Sequence, residues 1–413
     1  MGTVTAGSPD RAGVFTTLAE LLEREEVLAM ATVVGRRGST PREVGAKMLV
    51  RPSGAIAGTV GGGAAEAEIR RQALLVLRAG RPELVTVDLT GTLQRPGRGI
   101  CGGSFDVFLE PWRGGMAPDP TAGPSRGKDL ELAKAIVEER EAGRAVRLAT
   151  VIGASGRWAA GAGSRVLAGD SRTVSSGPLA EDLLAAVVAA TEGWDGSGGV
   201  MGPAGSSTLV DGSASAGIRE LLPADSGAQA RVLLELLLPP DQLLIVGGGH
   251  IAQPLAAIAT TCGLDVTVVD DRPEYATQER FPQARVVAAD GGRFLAQRPG
   301  LGPRTHVVLV SRGPAQDLAA LQALLTGGGG GYVGLIGSER RVWTVLTTLG
   351  AAGVSAEQLA RVHGPVGLDL GGTAPAEIAL AIMAELVKWQ RGGTGQELSD
   401  RMRRRLGRRQ PGP

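Results

Sequence analysis

The strongest constraint on the fold is a glycine-rich segment, Gly247–Ala252, that lies between a short apolar run and a helical pattern. It reads Gly-Gly-Gly-His-Ile-Ala and fits the pattern G-x-G-x-x-A. In this pattern Gly247 permits a tight turn, Gly249 lets the backbone approach a pyrophosphate, and Ala252 lets the helix pack closely on the sheet. The segment therefore predicts a Rossmann-type dinucleotide-binding unit.

Alternating strands and helices continue this pattern through the C-terminal part of the chain. Short apolar runs rich in Val, Ile and Leu are separated by helical patterns, which is typical of a parallel doubly wound sheet. The predicted strands are Leu243–Val246, Val266–Val269, Val286–Ala289, Val307–Val310 and Tyr332–Ile336. A five-glycine run, Gly327–Gly331, is expected to form a flexible loop before the last of them.

Asp270 ends the second predicted strand of this unit, where Rossmann domains place an acid that accepts hydrogen bonds from a ribose. Asp271 and Arg272 are close enough to change the nucleotide preference, so NAD and NADP both stay open. His250 could contact a ligand phosphate or cap the helix. The alternative to a domain that binds a nucleotide or a pterin phosphate is a Rossmann scaffold that has lost its ligand.

Several residues of the first part of the chain could bind an anion. Arg42 ends a basic turn segment, Gly61, Gly62 and Gly63 precede a predicted helix, and Glu66 falls in the first turn of that helix. Backbone amides at a helix N-terminus and arginine side chains both favour anions. A simple strand-to-helix turn explains the glycines equally well, and the helix dipole favours Glu66 with or without a ligand.

The chain has two cysteines, Cys101 and Cys262, which are too few for a disulfide framework and favour a reducing compartment. Cys101 is followed by two glycines at a loop-to-strand junction. It is predicted to be either an accessible thiol that reacts as the thiolate or a small half-buried side chain. Cys262 lies on the first Rossmann helix and is predicted to belong to the core.

Composition and charge exclude several classes of protein. The net charge of +1 gives no overall field that would favour nucleic acid or an anionic membrane. No apolar run reaches membrane-spanning length, and the first twelve residues lack the pattern of a secretory signal. We therefore expect a cytoplasmic protein that binds neither nucleic acid nor membrane. The three histidines lack metal-ligand spacing, so no metal site is predicted.

Two segments of the first part recur later in the chain at one offset. Leu28–Gly35 resembles Val146–Gly153, and Gly45–Val50 resembles Gly163–Ala168, with 118 residues between equivalent positions. A shared offset favours duplication, although short apolar strands can coincide by chance in a chain this rich in Ala, Gly and Val. The second copy lacks the triple glycine and is predicted to be structural.

The predicted fold class is α/β, with a C-terminal Rossmann-like parallel sheet, an N-terminal α/β domain and a degenerate second copy in the middle. A chain of 413 residues is long enough for two or three domains. We place the N-terminal domain at 14–112, the degenerate repeat or spacer at 128–238, the nucleotide-binding domain at 241–391 and a basic tail at 392–413. The tail is expected to be solvated rather than to bind RNA or a partner.

Taken together, these segments resemble the XdhC/CoxI family, the accessory proteins that mature molybdenum hydroxylases such as xanthine dehydrogenase and carbon monoxide dehydrogenase. The resemblance is carried in the first domain by Gly38–Arg42, Gly45–Val50, Gly58–Gly63 with Glu66, and Cys101–Gly103. In the Rossmann half it is carried by Gly249–Ile251, Val268–Asp270, Gly334–Arg341, His363–Gly371 and Thr373–Ala379.

The resemblance implies a protein that binds the molybdopterin cofactor as cargo, assists its sulfuration and helps to insert it into an apo molybdenum hydroxylase. The first domain would hold the cofactor through Gly61–Gly63, Arg42 and Cys101, with Cys101 as sulfur ligand or carrier. The Rossmann half would bind NAD(P), another nucleotide or the phosphate of the cofactor. Apart from the resemblance, a cysteine desulfurase is a candidate further partner and a homodimer is a candidate assembly.

The chain departs from the family pattern at two places. Many members carry Cys where this chain has Ala64, which leaves Cys101 as the sole candidate for a sulfur ligand. Many also have a histidine-containing loop where this chain reads Ser311-Arg312-Gly313-Pro314. The alternative function is an NAD(P)-dependent oxidoreductase, which would need a general acid at the nicotinamide end of the site.

Overall fold

A computed structural model of the chain describes residues 13–24, 27–38, 42–89, 103–114, 127–169, 172–192, 194, 209–213, 216–222 and 227–407. Cys101 and the turn residues 39–41 lie outside the described residues. The chain forms two compact units, Met1–Pro239 and Pro240–Pro413. Within the described part, no helix is long and apolar enough to cross a membrane.

The first unit begins with a five-stranded antiparallel sheet in the order β3-β2-β1-β5-β4. Strand β1 is apolar along most of its length because both of its faces are covered, so the alternating positions of a strand are all buried. Ala29 and Ala31 face the core under α2, whereas Leu28 and Met30 face the core that includes α1. The elements are α1 (Gly13–Leu22), β1 (Val27–Arg37), β2 (Lys47–Val50), β3 (Ile56–Gly58), α2 (Gly63–Ala79), β4 (Glu83–Asp88) and β5 (Ser104–Arg113).

A second copy of this arrangement completes the first unit, as the sequence predicts. Its sheet has the order β8-β7-β6-β11-β10-β9. Ala29 lies opposite Val50 in the first copy, and Arg147 lies opposite Ala168 in the second, which is the same register 118 residues later. The elements are α3 (Lys128–Glu141), β6 (Val146–Ser155), β7 (Arg165–Gly169), β8 (Thr173–Ser176), α4 (Glu181–Thr191), β9 (Leu209–Ser213), β10 (Ala216–Leu221) and β11 (Gln229–Leu237).

The two copies exchange buried ion pairs. Lys47 on β2 places its Nζ 2.9 Å from Oε2 of Glu235 on β11, and Arg165 on β7 places a guanidinium nitrogen 2.9 Å from Oε2 of Glu110 on β5. Lys47 and Arg165 are equivalent positions, as are Glu110 and Glu235, which lie opposite Met30 and its counterpart in β6. Each copy therefore supplies the cation for the acid of the other, and the two copies share one core.

Burial of these charges is nearly complete, since all four side chains are at most 3% exposed. Burial is the main influence on Glu110 and raises its pKa, while Arg165 and Lys47 act in the opposite direction. Arg165 also donates to Asp129 at 2.8 Å and lies 4.0 Å above the ring of Trp112. Buried charges of this kind are tolerated only when they are paired.

The second unit is a six-stranded parallel sheet in the order β14-β13-β12-β15-β16-β17, which is the 3-2-1-4-5-6 order of a Rossmann fold. The predicted Rossmann half is therefore confirmed. Its elements are β12 (Gln242–Val246), α5 (Ala252–Thr261), β13 (Asp265–Asp270), β14 (Arg285–Ala288), α6 (Gly291–Ala296), β15 (Thr305–Leu309), α7 (Pro314–Thr326), β16 (Val333–Leu335), α8 (Glu339–Ala351), α9 (Ala356–Leu359), β17 (Val362–His363), α10 (Pro375–Arg391) and α11 (Leu398–Gly407).

Two local expectations in this unit are wrong. Cys262 caps the end of α5 and is exposed instead of lying in the core. The five-glycine run is a packed connection rather than a flexible loop, because Gly331 donates to the carbonyl of Thr305 at 2.8 Å and a Cβ there would collide with the carbonyl of Pro303. Arg361 also donates to the carbonyl of Gly330 at 2.6 Å. Close backbone approach explains Gly331, whereas Gly328 and Gly330 have positive φ values of 75° and 86° that favour glycine.

Candidate functional site

The carboxyl ends of β12 and β15 border a cavity of about 170 Å³. These two strands are neighbours at the point where the strand order of the sheet reverses, which is where open α/β sheets bind their ligands. The charged and glycine residues that line the cavity include Gly247, Gly249, Asp270, Asp271, Arg272 and Arg312. Gly247, Gly249 and Asp270, the predicted binding residues, therefore meet Asp271 and Arg272 at one cavity.

The three glycines at the start of α5 have different reasons to be glycine. Gly247 has a φ of 113°, and a Cβ there would lie 2.6 Å from the carbonyl oxygen of Val310. A Cβ on Gly248 would lie 2.9 Å from the carbonyl oxygen of Tyr275. Gly249 has an ordinary φ, and a Cβ there would meet no heavy atom of the described residues within 4 Å. The fold therefore requires the first two glycines and leaves the third free to serve a ligand.

Helix α5 begins without the usual means of satisfying its first amides. Its N-cap residue, Ile251, supplies no side-chain hydrogen bond, and its first turn contains no acid. His250 is exposed in the turn immediately before the helix, and Ala252 is fully buried against the sheet. Free amides and the positive end of the helix dipole favour an anion at this position.

The carboxylate of Asp270 already accepts four hydrogen bonds from the protein. Gly248 N–H donates to Oδ2 at 2.7 Å, and Arg272 N–H donates to Oδ1 at 2.9 Å. The Arg272 guanidinium adds a fork, with Nε on Oδ1 and a terminal nitrogen on Oδ2, both at 2.9 Å. Burial by itself would raise the pKa of Asp270, but these hydrogen bonds outweigh it and lower the pKa to about 2.

Two arginines beside the glycine turn pack against the same aromatic ring, that of Tyr275. The guanidinium of Arg272 lies 3.5 Å from the centroid of the Tyr275 ring, and that of Arg280 lies 4.8 Å from it. Arg280 donates to the carbonyl of Gly248 at 3.1 Å, while the N–H of Gly248 is held by Asp270. Both polar groups of Gly248 are thus fixed by charged side chains, which sets the position of the neighbouring Gly249. Sequence reasoning missed Arg280, because nothing in its spacing from the glycine motif points to this contact.

The loop after β15 is held by a second set of charges. Asp317 on α7 is fully buried, and its carboxylate accepts from Ser311 Oγ at 2.6 Å and from Arg341 Nε at 2.9 Å. Arg341 belongs to the family segment that ends β16 and begins α8, and sequence reasoning gave it no role. On the rim of the cavity, Arg312 donates to both carboxylate oxygens of Asp271, at 3.2 and 3.0 Å. The loop that replaces the family's histidine segment is therefore ordered by ion pairs.

The predicted anion site of the first unit lies at the start of α2. Gly62 and Gly63 have φ values of 75° and 60°, are exposed, and would place a Cβ in open space with respect to the described residues. Glu66 accepts a hydrogen bond from Thr59 Oγ1 at 2.7 Å. Arg42 is exposed at the edge of the turn. Cys101, the predicted thiol of this site, lies outside the described residues.

In the second copy, side chains of the protein itself contact the first turn of the equivalent helix, α4. Asp182 in the first turn of α4 accepts from Trp158 Nε1 at 2.9 Å and pairs with Arg157 at 2.6 Å. Trp158 is buried there. The residue of the first copy at the position of Asp182 is Ala64, which is exposed.

The comparisons with known proteins agree with this geometry. Residues 243–386 match the XdhC Rossmann domain, and residues 21–88 match the XdhC and CoxI family. The chain belongs to the XdhC/CoxI family. It is 23% identical over 387 residues to the uncharacterized protein YqeB of Escherichia coli (strain K12), covering 92% of this chain and 47% of YqeB.

A second relative and a solved structure extend this comparison. The chain is 27% identical over 158 residues to a probable xanthine dehydrogenase subunit of Bacillus subtilis (strain 168), covering 38% of this chain and 45% of that protein. It thus spans about half the length of the curated relatives it matches. A crystal structure described as a xanthine dehydrogenase from Bacillus halodurans has the same fold, with a TM-score of 0.68, 21% identity and coverage of 93% of this chain and 98% of that one.

Proposed function

We propose that this protein is an accessory factor that binds the molybdopterin cofactor as cargo and assists its sulfuration and its insertion into a molybdenum hydroxylase of the xanthine dehydrogenase type. Family membership over both units supports this role, as does the relative named as a probable xanthine dehydrogenase subunit. The apo hydroxylase would be the protein partner. A cysteine desulfurase is proposed as the source of sulfur, and a homodimer as the assembly.

The single observation that carries the proposal is the exposed glycine turn at the start of α2. Gly62 and Gly63 leave open space at a helix N-terminus, as a phosphate-bearing ligand needs, while the N–H of Gly61 donates to Thr59 Oγ1 at 3.3 Å and would hold the turn. Arg42 would add a positive charge. Glu66, whose carboxylate accepts a hydrogen bond from Thr59 Oγ1, is proposed as a further cofactor-binding residue of this turn.

Cys101 is proposed as the sulfur ligand or carrier of this site. A thiolate is the form of cysteine that binds metals and attacks sulfur, and neighbouring cations lower a thiol's pKa toward that form. Ala64 replaces the cysteine that many family members carry in the glycine turn. Because the site then has no second cysteine that could replace Cys101, loss of the Cys101 thiol should abolish the sulfur chemistry.

The Rossmann cavity is proposed to bind NAD(P), another nucleotide or the phosphate of the cofactor. Gly249 would admit the phosphate, Gly247 would set the turn, and Ala252 would allow the helix to lie close to the sheet. His250 would contact the phosphate from its exposed position before α5. Asp270 would face the ribose once Arg272 has moved.

A second candidate function is an NAD(P)-dependent oxidoreductase, which the same cavity favours because it lies where dinucleotides bind in Rossmann folds. Incubation with NADH or NADPH and a panel of small carbonyl compounds tests it. Turnover above the rate of the Gly249→Val variant would support this function over the accessory role.

Co-expression with a molybdenum hydroxylase from the same genome tests the accessory role. Four strains express the hydroxylase alone, with this protein, with its Cys101→Ser variant, and with Cys262→Ser as a matched control at an exposed thiol. Molybdenum content and hydroxylase activity are measured for each purified hydroxylase. A molybdenum-replete but inactive hydroxylase, rescued by the wild type and Cys262→Ser but not by Cys101→Ser, would support sulfuration. A molybdenum-poor hydroxylase in the absence of this protein would support insertion, and a fully active one would refute both.

A further inference from the structure

The acid that a ribose would contact in the Rossmann cavity is already engaged by a neighbouring arginine. Arg272 binds Asp270 through its backbone N–H, its Nε and one terminal guanidinium nitrogen, with three distances of 2.9 Å. The side chain of Asp270 is only 4% exposed. A ribose can therefore reach this carboxylate only by moving the Arg272 side chain away.

Displacement of Arg272 is favourable only if its guanidinium finds another anion. A neutral ribose would replace a two-point ion pair with hydrogen bonds from an uncharged donor and would leave the guanidinium without its partner. A ribose that carries a phosphate offers the guanidinium a new anion of matching fork geometry. Asp270 would then keep the hydrogen bonds from the N–H groups of Gly248 and Arg272 and would accept one more from the remaining ribose hydroxyl.

A second guanidinium lines the same cavity. Arg312 reaches Asp271, the residue after Asp270, from the loop that follows β15. Its side chain is 53% exposed, so it can reorient at little cost. The stacking of Arg272 on Tyr275 leaves a flat cation beside the ribose position. Each of these arginines is paired with an aspartate in the structure, and both can turn toward a ribose phosphate that enters the cavity.

We infer that Arg272 is the specificity-determining residue of this cavity and that it selects nucleotides carrying a phosphate on the ribose over those with a free ribose. The inference rests on the proposed nucleotide binding by the Rossmann half. It reverses the usual reading of an acid at the end of the second strand, which favours an unphosphorylated ribose.

Isothermal titration of the full-length protein with NADP⁺ and NAD⁺ tests the inference, because these probes differ only in the 2′-phosphate. The wild type should bind NADP⁺ about tenfold more tightly than NAD⁺. Arg272→Met should weaken NADP⁺ binding and strengthen NAD⁺ binding, since Asp270 becomes accessible, so that the ratio falls to about one or reverses. Arg272→Lys keeps the charge but loses the fork and should give an intermediate ratio.

A matched control separates specific recognition from net charge. Arg285→Met removes one positive charge at the opposite end of the sheet, where β14 begins, and should keep the wild-type ratio. Equal or tighter binding of NAD⁺ by the wild type, or an unchanged ratio in Arg272→Met, would overturn the role of Arg272 while nucleotide binding itself stands. If the wild type and Arg272→Met bind neither probe, nucleotide binding fails and the inference fails with it.

Discussion

Replacing Lys47 with Met should destabilise the first unit strongly, whereas also replacing its partner should restore much of the loss. Lys47→Met leaves Glu235 as a buried carboxylate, 1% exposed, without its cation. Removing one partner of a buried pair costs about 3–5 kcal/mol, while replacing both by apolar residues is often neutral or stabilising. For a unit of this size, that loss corresponds to a fall in Tm of about 6–20 °C.

The assay follows unfolding of the first unit alone. Trp343 and Trp389 of the second unit are 71% and 43% exposed, so a background in which both are Phe leaves fluorescence only from tryptophans of the first unit. Urea unfolding in this background gives the free energy of unfolding of the Lys47→Met, Glu235→Leu and double variants. A double-mutant cycle isolates their coupling. Additive losses in the double variant, or a loss below about 1 kcal/mol in Lys47→Met, would refute the argument that the copies are joined by buried charge pairs.

Three further predictions concern the second unit. Arg341→Met should lower its stability by about 3 kcal/mol, because Asp317 is fully buried and loses its cation, and thermal unfolding with Arg340→Met as control measures this. The folded-state pKa of Asp270 is about 2, below the ordinary 3.8, so its contribution of about 2 kcal/mol is present above pH 4 and lost as the pH falls toward 2. Asp270→Asn should remove that part of the acid-induced destabilisation in urea titrations between pH 5 and pH 2, and an unchanged pH profile would count against it. Gly249→Val should leave Tm within about 2 °C of the wild type and abolish nucleotide binding, whereas Gly247→Ala should lower Tm, since only Gly247 needs a positive φ; a large Tm loss in Gly249→Val would contradict this.

Much of the Rossmann half is predictable from the sequence because its signals are local. Strands β12, β13 and β15 are largely buried apolar runs, and the glycine pattern after β12 marks the tight turn and the start of α5. The duplicated register of β1 and β6 is also readable, since a constant offset needs no knowledge of packing.

Contacts between distant segments are not predictable in this way. Lys47 and Glu235 are 188 residues apart, and no local pattern identifies them as partners. The ion pair between Arg272 and Asp270 is equally unpredictable from the sequence, although the two residues are nearly adjacent. Their spacing shows that they can meet, but the fork geometry depends on how the turn after β13 folds back under Tyr275.

The two copies of the first unit share the charged residues of their common core but differ at one helix start. Positions that exchange ion pairs keep their charge in both copies, because both copies need them for one core. Helix starts differ: α2 has Gly62 as its N-cap, begins at Gly63 and carries one acid, Glu66, in its first turn, whereas α4 has Ala180 as its N-cap and carries Glu181 and Asp182 there. Two carboxylates at a helix N-terminus satisfy the dipole internally and repel an anion. The loss of the glycines and the gain of a second acid in the structural copy therefore support the proposal that the start of α2 binds a negatively charged ligand.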